Sequence, residues 1–274
     1  MRMSRRRLLP GLALFAVLIL HAGPVRGQES GATPEAAAPA RSTQPAVDTG
    51  RPVSWKLLVP NILQDQKPIW LFPVRAVQGK HAKPTLAFIL ATAGLVALDP
   101  HDTPYFRRTT SFNDFNRTFS GRNTGLGTAI APLALYAVGL ARRDSYAQQT
   151  ALLAGEAVAD AQILTLVMKN VDRRLRPVEI PPDGDFSHTW FKSHGRFFSG
   201  RGGFPSGHTI AAFSVATVFA HRYRRHRWVP WVAYGLAGLV GFSRVPLQSH
   251  FPSDAFAGAV LGYAVSRYVV LRQQ

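Results

Sequence analysis

The chain contains no cysteine, three methionines, and only 15 acidic residues against 32 basic ones over 274 positions. Without cysteine there is no disulfide, no thiolate zinc site and no lipid-modified N-terminal cysteine. No cluster of His and carboxylates has metal-ligand spacing either. Sustained alternation of apolar and polar residues, the mark of a half-buried strand, is missing throughout. Long hydrophobic runs are scarce. The longest clean apolar run, Gly125–Ala141, has 17 residues, short of the roughly 20 that a spanning helix needs. The basic residues are scattered through loops with no nucleic-acid-binding motif beside them, which argues against nucleic acid as a partner.

Arginine is what the chain has in excess. It supplies 26 of the 32 basic residues, a bias that suits planar, bidentate recognition of oxyanions but that genome composition also produces. Met1–Arg7 is a basic n-region, Leu8–Leu20 an apolar run of 13 residues, and His21–Gly27 offers small residues at cleavage positions. Residues 1–27 therefore fit a secretory signal peptide, with an uncleaved anchor as the alternative. Removing them lowers the formal charge from +17 to +12, still enough to attract anionic substrates or an anionic membrane surface. Residues 28–53 are rich in Ala, Pro, Thr and Ser. They cannot bury enough surface to order themselves, and so are expected to form a disordered linker.

Across residues 54–274, apolar segments recur between polar loops: Leu86–Leu98, Leu126–Ala141, Ala151–Met168, Thr209–Ala220, Trp228–Phe242 and Ala255–Leu271. Their length and Ala/Gly/Leu content predict an all-α fold, a compact bundle of about six helices with the active site at helix ends. Glu156 and Asp160 in the third segment, and Arg267 in the last, count against membrane spans. If the linker lies outside and every segment spans, the Arg222, Arg224, Arg225 and Arg227 cluster would also lie outside, against the positive-inside rule. Either one segment does not span or none does, and the reading is an exported compact bundle, periplasmic, with membrane association left open and the active site facing the periplasm.

Three short motifs carry chemistry. In the first, Lys169 and Arg176 precede Pro177. Seven residues apart, they fall two turns along one helix face and can point into one site, although basic residues at a helix C-terminus also simply offset the dipole. The second is Pro205-Ser206-Gly207-His208 at the start of the fourth segment. Ser206 is a ready N-cap, and the same turn is an anion site in which Gly207 allows close approach of phosphate oxygens. His208 stands beside that site, placed to give a proton to a leaving group. The third runs from Ser243-Arg244 to His250 and Asp254. Asp254 can reach back to the imidazole, fix its tautomer and leave the other nitrogen free to attack. Each motif has an ordinary structural explanation alone. Their coincidence does not.

The full pattern, Lys169-x6-Arg176-Pro177, Pro205-Ser206-Gly207-His208, then Ser243-Arg244-x5-His250-x3-Asp254, resembles the signature of the type-2 phosphatidic acid phosphatase and vanadium haloperoxidase superfamily. The likeness covers roughly Ala151–Leu271 and matches every signature position. It implies a metal-independent phosphatase in which His250 forms a phosphohistidine, Asp254 orients it, and His208 protonates the leaving oxygen and then activates water. Lys169, Arg176, Ser206, Gly207 and Arg244 would hold the phosphoryl oxygens, doing the work that Mg²⁺ does elsewhere, each donor supplying roughly 3 kcal/mol. No cofactor is implied, apart from vanadate if the chain is a haloperoxidase. The expected substrate is a phosphorylated lipid, such as phosphatidic acid or an isoprenoid diphosphate. A broad-specificity soluble acid phosphatase acting on small phosphoesters stays open, as does a haloperoxidase or an inactive phospholipid-binding or transport protein. Residues 178–204, between the first two motifs, read as a surface loop tied down by aromatics or as a lid over the leaving group.

Overall fold

The computed structural model describes residues 51–194 and 200–272. The signal region and residues 28–50 of the linker lie outside the described residues, as do Arg196, Phe197 and Phe198 of the 178–204 loop. Eight α-helices follow in chain order: α1 (Leu58–Val77), α2 (Ala82–Arg108), α3 (Asn113–Thr118), α4 (Gly121–Ala141), α5 (Ser145–Asp172), α6 (Gly207–Arg222), α7 (Trp228–Ser243) and α8 (Pro252–Val265). Short 3₁₀ turns occupy Trp55–Leu57 and Pro177–Glu179, and a π-helical turn, Ser266–Val270, extends α8. The described residues contain no strand. The fold is all-helical, as the apolar segments predict. Their polar margins hide how far the helices run, and α1, interrupted by Pro68 and Pro73, has no unbroken apolar run to mark it in the sequence.

Local chemistry explains where the helices begin. Side chains of Ser120, Asp144 and Ser206 accept backbone N–H groups three residues on and cap α4, α5 and α6. Pro252 occupies the first turn of α8, where its missing donor costs nothing. Helices α5 and α6 form the buried centre, with Leu153, Ala154, Ala157, Val218 and Phe219 in one core cluster. Helix α8 approaches α6 very closely. A Cβ on Gly258 would stand 2.8 Å from the Ser206 carbonyl, and one on Gly262 only 2.4 Å from that of Ile210.

Arg51 and Val53, assigned to the linker, belong to the packed body. Val53 packs against the core cluster, and Arg51 bridges Asp65 at 2.7 Å and Glu156 at 2.6 Å. A buried carboxylate requires such a partner. Asp160 instead takes the Gln66 amide at 2.7 Å.

The ends of five helices, α4 to α8, meet at one place beside the interior of α2. Asp99 of α2 contacts Ser253 at the start of α8, and Gly121 opening α4 touches His208 at the mouth of α6 and Arg244 after α7. Arg174, just beyond α5, reaches Asp254. The other end carries the turns 142–144 and 223–227 and the π-helical turn.

Three stretches, Ala82–Arg108, Gly121–Ala141 and Ser145–Glu179, are long and apolar enough to cross a membrane. Runs such as Leu86–Leu98 looked too short because the helices continue past the charged residues that bounded them. Their outer faces are apolar and open: Leu86, Ile89, Leu90 and Leu98 on α2, and Leu126, Ile130, Leu133 and Leu140 on α4, are exposed.

Candidate active site

A cleft of about 680 Å³ opens among the converging helix ends. One end is polar, lined by Lys169, Arg176, Gly207, His208, Arg244, Ser249 and His250. The rest is an apolar trough between α1, α4 and α5, where Leu58, Ile62, Leu133, Tyr136 and Leu152 contribute large side chains. Among the described residues no carboxylate lines it. Three cations with no carboxylate among the lining residues suit a negatively charged ligand.

Lys169 sits in the last turn of α5 and is buried, with no hydrogen bond to its ammonium among the described residues. Arg176 reaches the same cleft by another route than the sequence suggested. Helix α5 stops at Asp172, whose carboxylate accepts the Arg174 N–H at 3.0 Å, and Arg173 turns left-handed at φ 43°. A short acidic side chain that captures a nearby backbone donor ends a helix in this way. Arg176 is therefore extended, at φ −86° and ψ 153°, and shares no helix face with Lys169. Its guanidinium donates to the Gly200 carbonyl at 3.2 Å, leaving Nε buried and unpartnered. Arg244 is 1% exposed, bonded to the Ser243 hydroxyl at 2.8 Å and to the Phe119 carbonyl.

Gly207 begins α6 facing the cleft. A methyl group there would lie 3.8 Å from the Lys169 ammonium, inside the space an anion would fill. Ser206 is placed otherwise: its oxygen accepts the Thr209 hydroxyl at 2.8 Å, and the residue is fully buried and absent from the cleft wall.

His250 Nδ1 is 2.6 Å from the Gly203 carbonyl. A carbonyl only accepts, so Nδ1 carries the proton and Nε2 is left with its lone pair. Asp254, expected as the orienting group, holds its Oδ2 farther off, at 3.6 Å. That oxygen accepts the Phe251 N–H at 2.8 Å, and Oδ1 takes Arg174 at 2.6 Å. Sequence reasoning missed Gly203 because a main-chain carbonyl leaves no trace in side-chain pattern. Burial lowers the pKa of His250, opposed by Asp254 and reinforced by Lys169 and Arg176.

His208 Nε2 lies 3.0 Å from the Gly121 carbonyl, so this nitrogen carries its proton. Burial, then the neighbouring Arg244, pushes its pKa down to about 4.

The 178–204 loop straps the stretch that leaves α5. Thr189 and Gly203 pair with Leu175 and Arg174, while Phe191 and Ser193 donate to Asp172 and Arg173. Trp190 meets Phe204, and Phe186 meets Phe251. Its aromatics thus tie the loop down.

Residues 150–274 match a sequence model of the PAP2 superfamily. Among curated relatives, the lipid A 1-phosphatase of Rhizobium etli is 34% identical over 36% of this chain and 40% of its own length. The lipid A 4'-phosphatase of Porphyromonas gingivalis is 31% identical over 39% of this chain and 44% of its own. The bacitracin transport permease protein BcrC of Bacillus licheniformis is 38% identical over 24% and 31%. The chain thus spans less than half the length of these relatives. No solved structure matches it. The convergence of all three motifs on one cleft agrees with the match of residues 150–274 to the PAP2 superfamily.

Proposed function

We propose that this protein is a membrane-embedded phosphatase that removes phosphate from a lipid through a phosphohistidine on His250. The cleft carries the proposal. One end offers three cations, two histidines and no carboxylate, and the other offers an apolar trough. A phosphate fits the first and an acyl or isoprenoid chain the second, whereas a small soluble ester would leave the trough unused. The lipid A phosphatases among its relatives support a phosphorylated lipid as substrate.

The steps balance on this chain's own residues. Nε2 of His250 attacks phosphorus as the bond to the leaving oxygen breaks, and that oxygen takes the proton of His208 Nε2. Water then attacks the phosphohistidine and gives its proton to His208, releasing phosphate and restoring both histidines. With the site empty, His208 lies too low in pKa to hold a second proton at neutral pH. A bound phosphate dianion offsets Lys169, Arg176 and Arg244 and raises it. Lys169, Arg176, Arg244 and the N–H groups opening α6 meet the charge that spreads over the equatorial oxygens.

The exposed apolar faces of α2 and α4 favour a membrane as their surroundings. The end opposite the site holds Arg142, Arg143, Arg222, Arg224, Arg225 and Arg227, with Asp144 as the only acid in those turns. By the positive-inside rule that end faces the cytoplasm, and the cleft faces the other side.

The test uses the purified full chain in EDTA, with detergent-solubilised phosphatidic acid and a chromogenic phosphomonoester as substrates. Wild type should hydrolyse the lipid with the higher kcat/KM, and His250→Ala should be inactive. Gly155 has open space in the trough where a side chain would go. Gly155→Leu should raise KM for the lipid about tenfold and leave the small ester unaffected. Hydrolysis that survives His250→Ala, or none by wild type, rejects the mechanism.

A further inference from the structure

Arg174 is not a signature residue, yet both groups that face Nδ1 of His250 are attached to it. It is 1% exposed and bonded at every side-chain nitrogen. Nε donates to the Thr189 hydroxyl at 3.1 Å. Nη1 donates to Asp254 Oδ1 at 2.6 Å and to the Ser253 hydroxyl at 2.7 Å. Nη2 donates to Asp99 Oδ2 at 2.6 Å. The guanidinium lies between the rings of Phe251 and Trp190, 4.1 and 4.6 Å from their centroids. Its main-chain carbonyl accepts the Gly203 N–H at 2.7 Å, and the Gly203 carbonyl in turn accepts the Nδ1 proton of His250. The side chain of Arg174 thus fixes Asp254, and its backbone fixes Gly203.

Asp99 closes the arrangement from outside the matched region. It belongs to α2, is fully buried, and accepts from Arg174, from the Ser253 hydroxyl at 2.5 Å and from the Ser253 N–H at 3.2 Å. An arginine held on one edge only could swing with Asp254; held on both, it cannot. One guanidinium also neutralises one carboxylate, not two. With both carboxyls ionised, Asp99 and Asp254 outnumber the guanidinium between them and leave net negative charge behind the imidazole, where a phosphorylated ring is positive. The other charges facing His250 are Lys169 and Arg176 from α5 and the stretch after it, and His208 when protonated.

We propose that Asp99 and Arg174 are positioning residues for His250: the Arg174 backbone holds Gly203, whose carbonyl fixes the nucleophile's Nδ1–H tautomer, and the buried Asp99–Arg174–Asp254 chain anchors Arg174 and sets the charge behind the ring. The proposal rests on the phosphatase reading above, and it makes α2 part of the active site.

The experiment compares wild type, Asp99→Asn, Asp99→Glu, Ser253→Ala and His250→Ala on phosphatidic acid. Rates are expressed per phosphohistidine-forming site, so that loss of folded protein does not count. Partners behind a functional histidine typically contribute 10- to 100-fold. Asp99→Asn should therefore lower kcat by about that factor, with KM within about threefold of wild type. Removing a negative charge disfavours the imidazolium, so its acid-side pKa for kcat/KM should move down. Asp99→Glu keeps the charge and should return that pKa to the wild-type value. A purely structural role would lower the number of active sites and leave both kcat per site and the acid-side pKa unmoved in every variant; that result overturns the proposal. If Asp99→Asn does not fold, Ser253→Ala decides, since it removes one bridging hydroxyl with little change in volume. Lower kcat per site at constant KM supports the chain, and unchanged kcat rejects it. Hydrolysis that depends on His250 yet ignores Asp99 and Ser253 overturns this inference alone. Hydrolysis independent of His250, or none by wild type, overturns the phosphatase reading and this inference together.

Discussion

A histidine is useful as a nucleophile only while one ring nitrogen keeps its lone pair, and at His250 that condition is met by a main-chain carbonyl. The Gly203 oxygen fixes the proton on Nδ1, and burial, the larger influence, holds the pKa below the usual imidazole range. The sign follows directly. Protonating Nε2 abolishes the nucleophile, so activity is lost as pH falls through the lowered pKa and is kept above it. The acid-side midpoint of kcat/KM should lie below about pH 6.5, the ordinary histidine value. A pH–rate profile checks this; a midpoint at or above 6.5 would contradict the burial argument. Residue identity was legible where the chemistry sits in side chains, as with Lys169, Arg176, His208, Arg244 and His250, which all line one cleft. It was illegible for Gly203, whose contribution is backbone, and for Asp99, 75 residues before its partner Arg174.

At the scale of elements, the helices were readable from their apolar runs and their ends were not. The proline at 177 suggested that α5 continues to Arg176. Asp172 ends it earlier by capturing a backbone donor, a local competition that proline rules do not anticipate. Helix contact adds a second feature that composition conceals. The α6–α8 pair depends on Gly258 and Gly262, because α8 lies directly on carbonyls of α6. Gly262→Ala forces a methyl into the Ile210 backbone and should destabilise the protein by about 1–3 kcal/mol. Gly127, on α4, has no atom within 4 Å of the added carbon. Gly127→Ala should be neutral or stabilising by about 0.5–1 kcal/mol, since alanine is the better helix former. Thermal unfolding in detergent distinguishes the two; equal effects would mean that α6 and α8 are not in backbone contact.

For the whole molecule, the cleft and the arginine-rich turns lie at opposite ends of the bundle, so on the proposed reading orientation in a membrane would fix where phosphate is released. The absence of cysteine makes this measurable with single introduced thiols. Ser187, in the loop beside the site, and Arg225, in the opposite turn, are both exposed. In intact cells a membrane-impermeant maleimide should label Ser187→Cys, and Arg225→Cys only after lysis. Labelling in the reverse order would place the cleft in the cytoplasm. Recovery of the unmodified chain entirely in the soluble fraction would remove the membrane from the proposal. Along the sequence, charged residues cut the apolar segments short, which argues for an exported bundle rather than membrane spans. The three-dimensional structure turns Glu156 inward onto Arg51 and leaves leucines outside, so the same residues suit a lipid surrounding.

By itself, the sequence determined the helical class, the basic excess and the basic and histidine side chains that meet in the cleft. These follow from local periodicity and from side chains whose chemistry travels with them. Only the tertiary structure decided that Arg176 arrives on an extended stretch of chain, that Ser206 is buried away from the cleft wall, and that Gly203 and Arg174 stand behind His250. It also decided that a helix from outside the motif region completes the site. Those are relations between atoms far apart in the chain, set by which faces pack together, and no spacing along one dimension encodes them.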